Sequence, residues 1–201
     1  MIAWTIEAAL ESNLFSKVLV STDCEEISKI SKEYGAEVPF FRYGNSDDYT
    51  KVSDATCDAL LQAEDHWDTQ FDTVIQLMAN CPLRNANTIK NFYKEFINRD
   101  TDFMLSCFKF GWMNPWWAFK INQENKHSFV FDDALEMRSQ DLEDLFCPTG
   151  SIWVAKARAF KESRNFYGHG QQFCEIDWIS AVDIDDSNDL DFARSLASNP
   201  E

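Results

Sequence analysis

Residues 73–108 read TVIQLMANCPLRNANTIKNFYKEFINRDTDFMLSCF. Thr73-Val74-Ile75-Gln76-Leu77 is a short, nearly continuous apolar run, the pattern of a buried strand. Pro82-Leu83-Arg84 belongs to the loop after it. A helix begins at Asn87 and carries Ile89, Phe92 and Phe96 at helical spacing. Phe103 to Phe108 is again a strand. Strand, loop, helix and strand with short connections make the repeating unit of a doubly wound α/β sheet.

The rhythm extends in both directions. Upstream, Ile2, Ile6, Ala9 and Leu10 mark an amphipathic helix that stops at Asn13. Lys17 to Ser21 reads as a buried parallel strand. Thr22-Asp23 caps a helix with Glu25 and Glu26 in its first turn and Ile27, Ile30 and Tyr34 on its buried face, closed by Gly35. Val38 to Phe41 is a second short strand, 44–48 a polar loop, and 53–64 a helix with Ala55, Leu60 and Leu61 inward. Downstream, Ser151 to Ala155 is a strand, Asp177 to Ile184 leads into a last strand, and Ser187 to Leu196 is a terminal helix. The alternation breaks near Phe108. Residues 109–148 form a β-rich excursion from one domain spanning 1–201, with Trp112, Trp116 and Trp117 clustered in it. Such a cluster suits a stacked base or sugar, but this aromatic density outside a helix points first to a subunit interface.

Acidic residues outnumber basic ones 34 to 18, for a net charge of −16, which excludes a nucleic-acid partner for want of a basic footprint. No apolar run approaches the roughly 18–20 residues of a membrane span. The opening Met1-Ile2-Ala3-Trp4-Thr5-Ile6-Glu7 has no basic segment of a secretory signal. None of the six cysteines forms a C-x-x-C pair, so they read as small buried residues of a reducing cytoplasm. Nor do His66, His127 and His169 have metal-site spacing.

Ligands of such sheets bind at the carboxyl ends of the strands, which directs attention to the loops starting at Thr22, Met78 and Lys109. In Val182-Asp183-Ile184-Asp185-Asp186, alternation puts Asp183 and Asp185 on one face. Two like charges so placed suit a hard cation such as Mg²⁺, or else one of the acids caps the next helix. Arg84 at a strand end suits either an anion or a structural ion pair, and Asn80 either a polar ligand or its own turn. Arg138-Ser139-Gln140-Asp141 offers a guanidinium fork for a carboxylate or phosphate, or is merely a charged loop. Gly150, ahead of a strand, permits close approach of a ligand or of another backbone.

In order and spacing, several runs resemble the acylneuraminate cytidylyltransferases, the CMP-sialic acid synthetase group. They are residues 2–10, Val20-Ser21-Thr22-Asp23, Tyr34 to Pro39, Cys81-Pro82-Leu83-Arg84, Arg138 to Asp141, Thr149 to Trp153 and Asp183-Ile184-Asp185. The resemblance implies an α/β fold with a doubly wound, mostly parallel sheet of the nucleotide-diphospho-sugar transferase type, and a small β-rich dimerisation excursion. It implies transfer of CMP from CTP to a nonulosonic, sialic-type sugar acid, with Mg²⁺ on Asp183 and Asp185. Ser21, Thr22, Asp23 and Arg42 would lie along the nucleotide. Asn80, Arg84, Lys120, Arg138, Gln140 and Gly150 would lie along the sugar acid, with Arg138 also among the catalytic groups. It further implies a cytoplasmic homodimer. Met78 departs from the Gln-Pro-Thr-Ser run that many members carry at 78–81, which leaves the choice of sugar acid open. The family also places a central strand and a basic triphosphate loop ahead of the first helix. This chain starts at that helix, so the resemblance implies a truncated, poorly active form with a gap between neighbouring strands. Two alternatives stand beside this reading: a non-catalytic scaffold protein that has lost the loop, and a cytidylyltransferase for an eight-carbon keto sugar acid.

Overall fold

A computed structural model describes residues 1–44 and 50–198 of the chain; most of the polar loop expected at 44–48 lies outside them. The elements run α1 (Ile2–Ser12), α2 (Glu25–Glu33), α3 (Val52–Trp67), β1 (Thr73–Gln76), α4 (Ala86–Arg99), β2 (Phe103–Lys109), β3 (Phe119–Ile121), β4 (His127–Phe129), β5 (Phe146–Lys156), α5 (Ala157–Ser163), β6 (Gln172–Glu175) and α6 (Ser187–Ala197). Helix ends follow local chemistry. Asn13 takes the left-handed conformation that stops α1, and the Asn85 side chain accepts from Asn87 and Thr88 at the start of α4. Asp186 and Asp189 form a reciprocal capping box on α6.

Among the described residues the main sheet has four strands in the order β1-β5-β2-β6. β5 is antiparallel to both neighbours and β2 is parallel to β6, so β1, β2 and β6 point one way and β5 the other. Both faces are covered. On one, α1 and α4 pack Ala8, Ile89, Phe92 and Phe96 on Met104, Ile152 and Val154. On the other, α3 and α5 pack Cys57, Leu60 and Phe160 on Phe103, Leu105 and Ala155. Alternate residues of β2 and β5 thus feed opposite cores, as the period of a strand requires.

Three expected strands differ. Residues 17–21 and 38–41 make only one parallel bridge, Leu19 to Glu37, with Val20 N–H donating to Glu37 O and Glu37 N–H to Val18 O. Pro39 has no N–H to extend that ladder. The segment carrying Asp183 and Asp185 is extended but joins no ladder; its Ile184 N–H donates to Asn80 O at 2.9 Å instead. The last strand is β6, whose four residues alternate too briefly to stand out in the sequence, and the one-to-two-turn helix α5 was equally inconspicuous.

The two sides of the sheet are separated. Among the described residues β1 pairs only with β5, and between its other edge and residues 17–21 lies a cleft of about 1230 Å³, walled also by α1 and α3. Ala157 N–H donates to Asp72 O, which places the Val74 amide on the β5 side and the Ile75 amide on the cleft side. The same alternation turns the Leu19 amide to the cleft while Val20 bonds Glu37. In hydrogen exchange, the Leu19 and Ile75 amides are expected to exchange at least about tenfold faster than those of Val20 and Val74. Equal protection of all four would mean that the cleft edges are paired.

Candidate functional site at the strand ends

The turn after β1 is organised from inside. Arg84 is only 2% exposed, and its guanidinium has no carboxylate partner among the described residues. Nη1 donates to Cys81 O (2.5 Å) and Nη2 to Met78 O (2.8 Å) and Thr5 Oγ1 (3.0 Å). These bonds fold residues 78–84 around one side chain and tie the turn to α1. Nε is buried without a partner among the described residues. Burial pulls the pKa of Arg84 down to about 10, which leaves it charged at neutral pH. As placed, Arg84 serves the turn and is not among the residues that line the cleft.

The Asp183 segment docks on that turn. Besides the Ile184–Asn80 bond, the Cys81 thiol donates to Asp183 Oδ1 across 3.5 Å. Burial first, and the Asp183 charge next, push the Cys81 pKa up to about 12, so it is a thiol at neutral pH. Burial also raises the pKa of Asp183; the thiol bond opposes that shift and repulsion from Asp185 adds to it. Neither Asp183 nor Asp185 has a basic partner among the described residues. The backbone N–H of Asp185 donates to Asp189, and Asp186, not Asp183 or Asp185, caps α6. The helix-cap alternative for the pair is thereby removed. No group of three or more metal-binding side chains occurs among the described residues. Two unpaired carboxylates still suit Mg²⁺, which typically takes one or two carboxylates and completes its shell with water and substrate phosphate.

The Thr149-Gly150-Ser151 run has a mechanical explanation. Thr149 Oγ1 donates to Ala181 O (3.3 Å) and Ser151 Oγ to Ser180 O (2.8 Å), which pins the approach to Asp183. Opposite it, the β2–β5 register slips between Leu105 and Cys107, and buried Ser106 bridges the slip to Thr149 O and Ile152 N. A Cβ on Gly150 would lie 2.3 Å from Met78 Sδ, so the absent side chain makes room for Met78.

Ser21, Arg42, Met78 and Asn80 line the cleft together, although they come from distant stretches. Arg42 Nε is buried without a partner among the described residues, and its backbone N–H donates to Thr22 O. The Thr22 side chain is buried and its hydroxyl accepts from Cys24 N–H, so it shapes the loop; Asp23 is exposed. Lys120, Arg138 and Gln140 are not brought to this cleft. They are exposed on the excursion, and Arg138 forks onto Asp141 at 2.7 and 3.1 Å. Sequence reasoning missed the contact of Cys81 with Asp183, 102 residues away, for which no local pattern exists.

An α/β sheet covered by helices on both faces, with a cleft and paired carboxylates at its strand ends, is the layout of a nucleotide-handling enzyme. Two solved structures share the fold. One is a CMP:2-keto-3-deoxy-manno-octonic acid synthetase complexed with CTP, with TM-score 0.68, 11% identity, and 98% of this chain and 87% of that one covered. The other is a 4-diphosphocytidyl-2C-methyl-D-erythritol synthase from Anaerococcus prevotii, with TM-score 0.64, 13% identity, and 98% and 86% covered. The sequence goes further. Residues 1–171 match the family model described as Cytidylyltransferase, and the chain belongs to that family. It is 32% identical over 200 residues to a pseudaminic acid cytidylyltransferase of Campylobacter jejuni, covering 98% of this chain and 84% of the relative. It is 31% identical over 199 residues to a CMP-N,N'-diacetyllegionaminic acid synthase of the same species, with 98% and 84% covered. Its activity is nucleotidyl transfer.

Gly150→Ala should destabilise the protein by about 1–2 kcal/mol, because the new methyl group collides with Met78. In urea unfolding, Met78→Ala should relieve that cost, giving a coupling of about 1 kcal/mol in the double-mutant cycle. Strict additivity would show that the two residues do not share the space.

Proposed function

We propose that the chain transfers CMP from CTP to a nonulosonic, sialic-type sugar acid and releases pyrophosphate. The observation that carries this reading, within the established family, is the convergence of Ser21, Arg42 and Asn80 on one cleft beside the turn that holds Asp183. In this reading the anomeric hydroxyl oxygen of the sugar acid forms a bond to the α-phosphorus of CTP. The bond from that phosphorus to the bridging oxygen breaks, the electron pair leaves on pyrophosphate, and the hydroxyl proton is released to solvent. Catalysis is mostly positioning and charge neutralisation. Asp183 and Asp185 would hold Mg²⁺, which supplies positive charge to the phosphate oxygens and lowers the pKa of the attacking hydroxyl.

The protein's own groups divide the remaining work. Arg42 has a buried donor without an acceptor among the described residues, which a bound nucleotide would supply. Ser21 and Asn80 offer polar contacts along the same wall, and Thr22 and Asp23 set the loop that carries Ser21. Met78 gives the wall an apolar stretch above Gly150, where the sugar acid is selected. Lys120, Arg138 and Gln140 serve the sugar acid from the excursion, which reaches the neighbouring subunit's site in a homodimer. Exposed apolar surface on this segment supports the dimer: Trp112 is 88% exposed, and Met113, Phe119 and Ile121 are also open to solvent. No helix among the described residues is long and apolar enough to cross a membrane. We place the enzyme in the cytoplasm, where CTP is made.

The assay is pyrophosphate release from CTP across a panel of nonulosonic acids and the eight-carbon keto acid. Turnover with at least one nonulosonic acid is expected, and Asp185→Asn should lower it by about a hundredfold or more. Turnover only with the eight-carbon acid would reassign the substrate. Silence with every acid, together with no CTP binding, would favour a non-catalytic scaffold.

The dimer has its own test. Sedimentation should show two copies, and Trp112→Ser with Ile121→Ser should shift the protein toward monomer. A wild-type monomer at micromolar concentration rules the interface out.

A further inference from the structure

Cys81 is wholly buried, with no exposed surface. Its backbone is fixed on both sides. The N–H donates to Met78 O at 3.3 Å, and the carbonyl accepts from Arg84 Nη1. Its Sγ lies 3.5 Å from Asp183 Oδ1, within the range of a thiol hydrogen bond. One residue earlier, Asn80 O holds the Ile184 N–H. The turn therefore grips the acidic segment twice, once on the backbone and once on a carboxylate. An ionised carboxylate only accepts, so the thiol is the donor.

We propose that Cys81 is a positioning residue that selects the orientation in which the Asp183 carboxylate shares a divalent cation with Asp185. This rests on the reading of Asp183 and Asp185 as the cation site. Groups that orient metal ligands through hydrogen bonds typically matter nearly as much as the ligands themselves. The thiol suits the task because it is a weak donor: it fixes the carboxylate while leaving most of its negative charge for the cation. Ser151 and Thr149 hold the segment from its other end through Ser180 O and Ala181 O, bonds that do not involve the thiol, so loss of the thiol releases the carboxylate's orientation while the segment stays anchored. Loss of the thiol should thus weaken cation binding without unfolding the loop.

The probe is Mn²⁺ alone, titrated into the protein and followed by electron paramagnetic resonance, with thermal unfolding measured in parallel. Cys81→Ala should weaken Mn²⁺ binding by about tenfold or more. Cys81→Ser keeps a donor and should stay within about threefold of wild type. Asp183→Asn should abolish binding. Equal affinity of wild type and Cys81→Ala, with Asp183→Asn inactive in binding, would overturn the role of Cys81 and leave the cation site standing. Wild-type affinity in Asp183→Asn would overturn the cation site itself. The infrared S–H stretch gives a readout that does not depend on the Cys81→Ala protein folding. The Cys81 band, identified by its loss in Cys81→Ser, should move toward the free-thiol frequency in Asp183→Asn. An unmoved band means that no thiol–carboxylate bond exists and overturns the proposal.

Discussion

One buried cation organises the functional end of the molecule. The Arg84 guanidinium sits inside a protein of net charge −16 and yet meets no carboxylate among the described residues; its two Nη groups donate to two carbonyls of its own turn and to Thr5 of α1, and only Nε is left without a partner there. Burying a charge is costly unless hydrogen bonds compensate, and here they do so in a geometry that a fork of planar donors can span. Everything at the strand ends follows from that turn. Its Asn80 carbonyl and Cys81 thiol hold the segment of Asp183, while Met78 and Asn80 face the cleft. The cleft wall and the segment of Asp183 are thus two sides of one folded loop.

The sheet supplies the second constraint. β5 runs against its neighbours and carries a register slip that Ser106 bridges. That irregularity falls at Thr149 to Ser151, the residues whose hydroxyls pin the approach to Asp183. β1 meanwhile keeps one edge without a strand, and the space beside it becomes the cleft. The backbone donors of Leu19 and Ile75 are turned to that space, an arrangement that a fully paired sheet would not offer.

Periodicity made most of the fold legible. The stripe of α4 and the runs of β1 and β2 are local signals, and the structure keeps them, whereas Leu10 of α1, Leu61 of α3 and Ile27 and Tyr34 on the expected buried face of α2 are exposed. Residues 17–21 show where local reading stops: a strand is a relation between two segments, and an apolar run with a neighbour on one side only makes a single bridge. The alternation of Val182 to Asp185 persists in burial, with Val182 inside and Asp183 and Asp185 exposed, but without the strand, because Ile184 finds its acceptor in a turn. Short elements such as β6 and α5 carry too few residues for a period to emerge. Within the site, the acidic pair was visible as a pattern, but the inward turn of Arg84 was not, since it depends on carbonyls whose directions only the folded turn defines. The fork of Arg138 on Asp141 is a three-residue contact that the sequence permits but does not require.

The dependence of the site on Arg84 can be measured through Arg84→Lys. Lysine keeps the charge but presents a single ammonium, which cannot reach Met78 O, Cys81 O and Thr5 Oγ1 in the same geometry. CTP binding by calorimetry, at a temperature where circular dichroism shows the variant folded, is the direct readout. An affinity at least about tenfold below wild type is predicted, since each lost buried bond is worth about 1 kcal/mol or more. Wild-type CTP affinity in the folded Arg84→Lys protein would contradict the claim that this guanidinium builds the site.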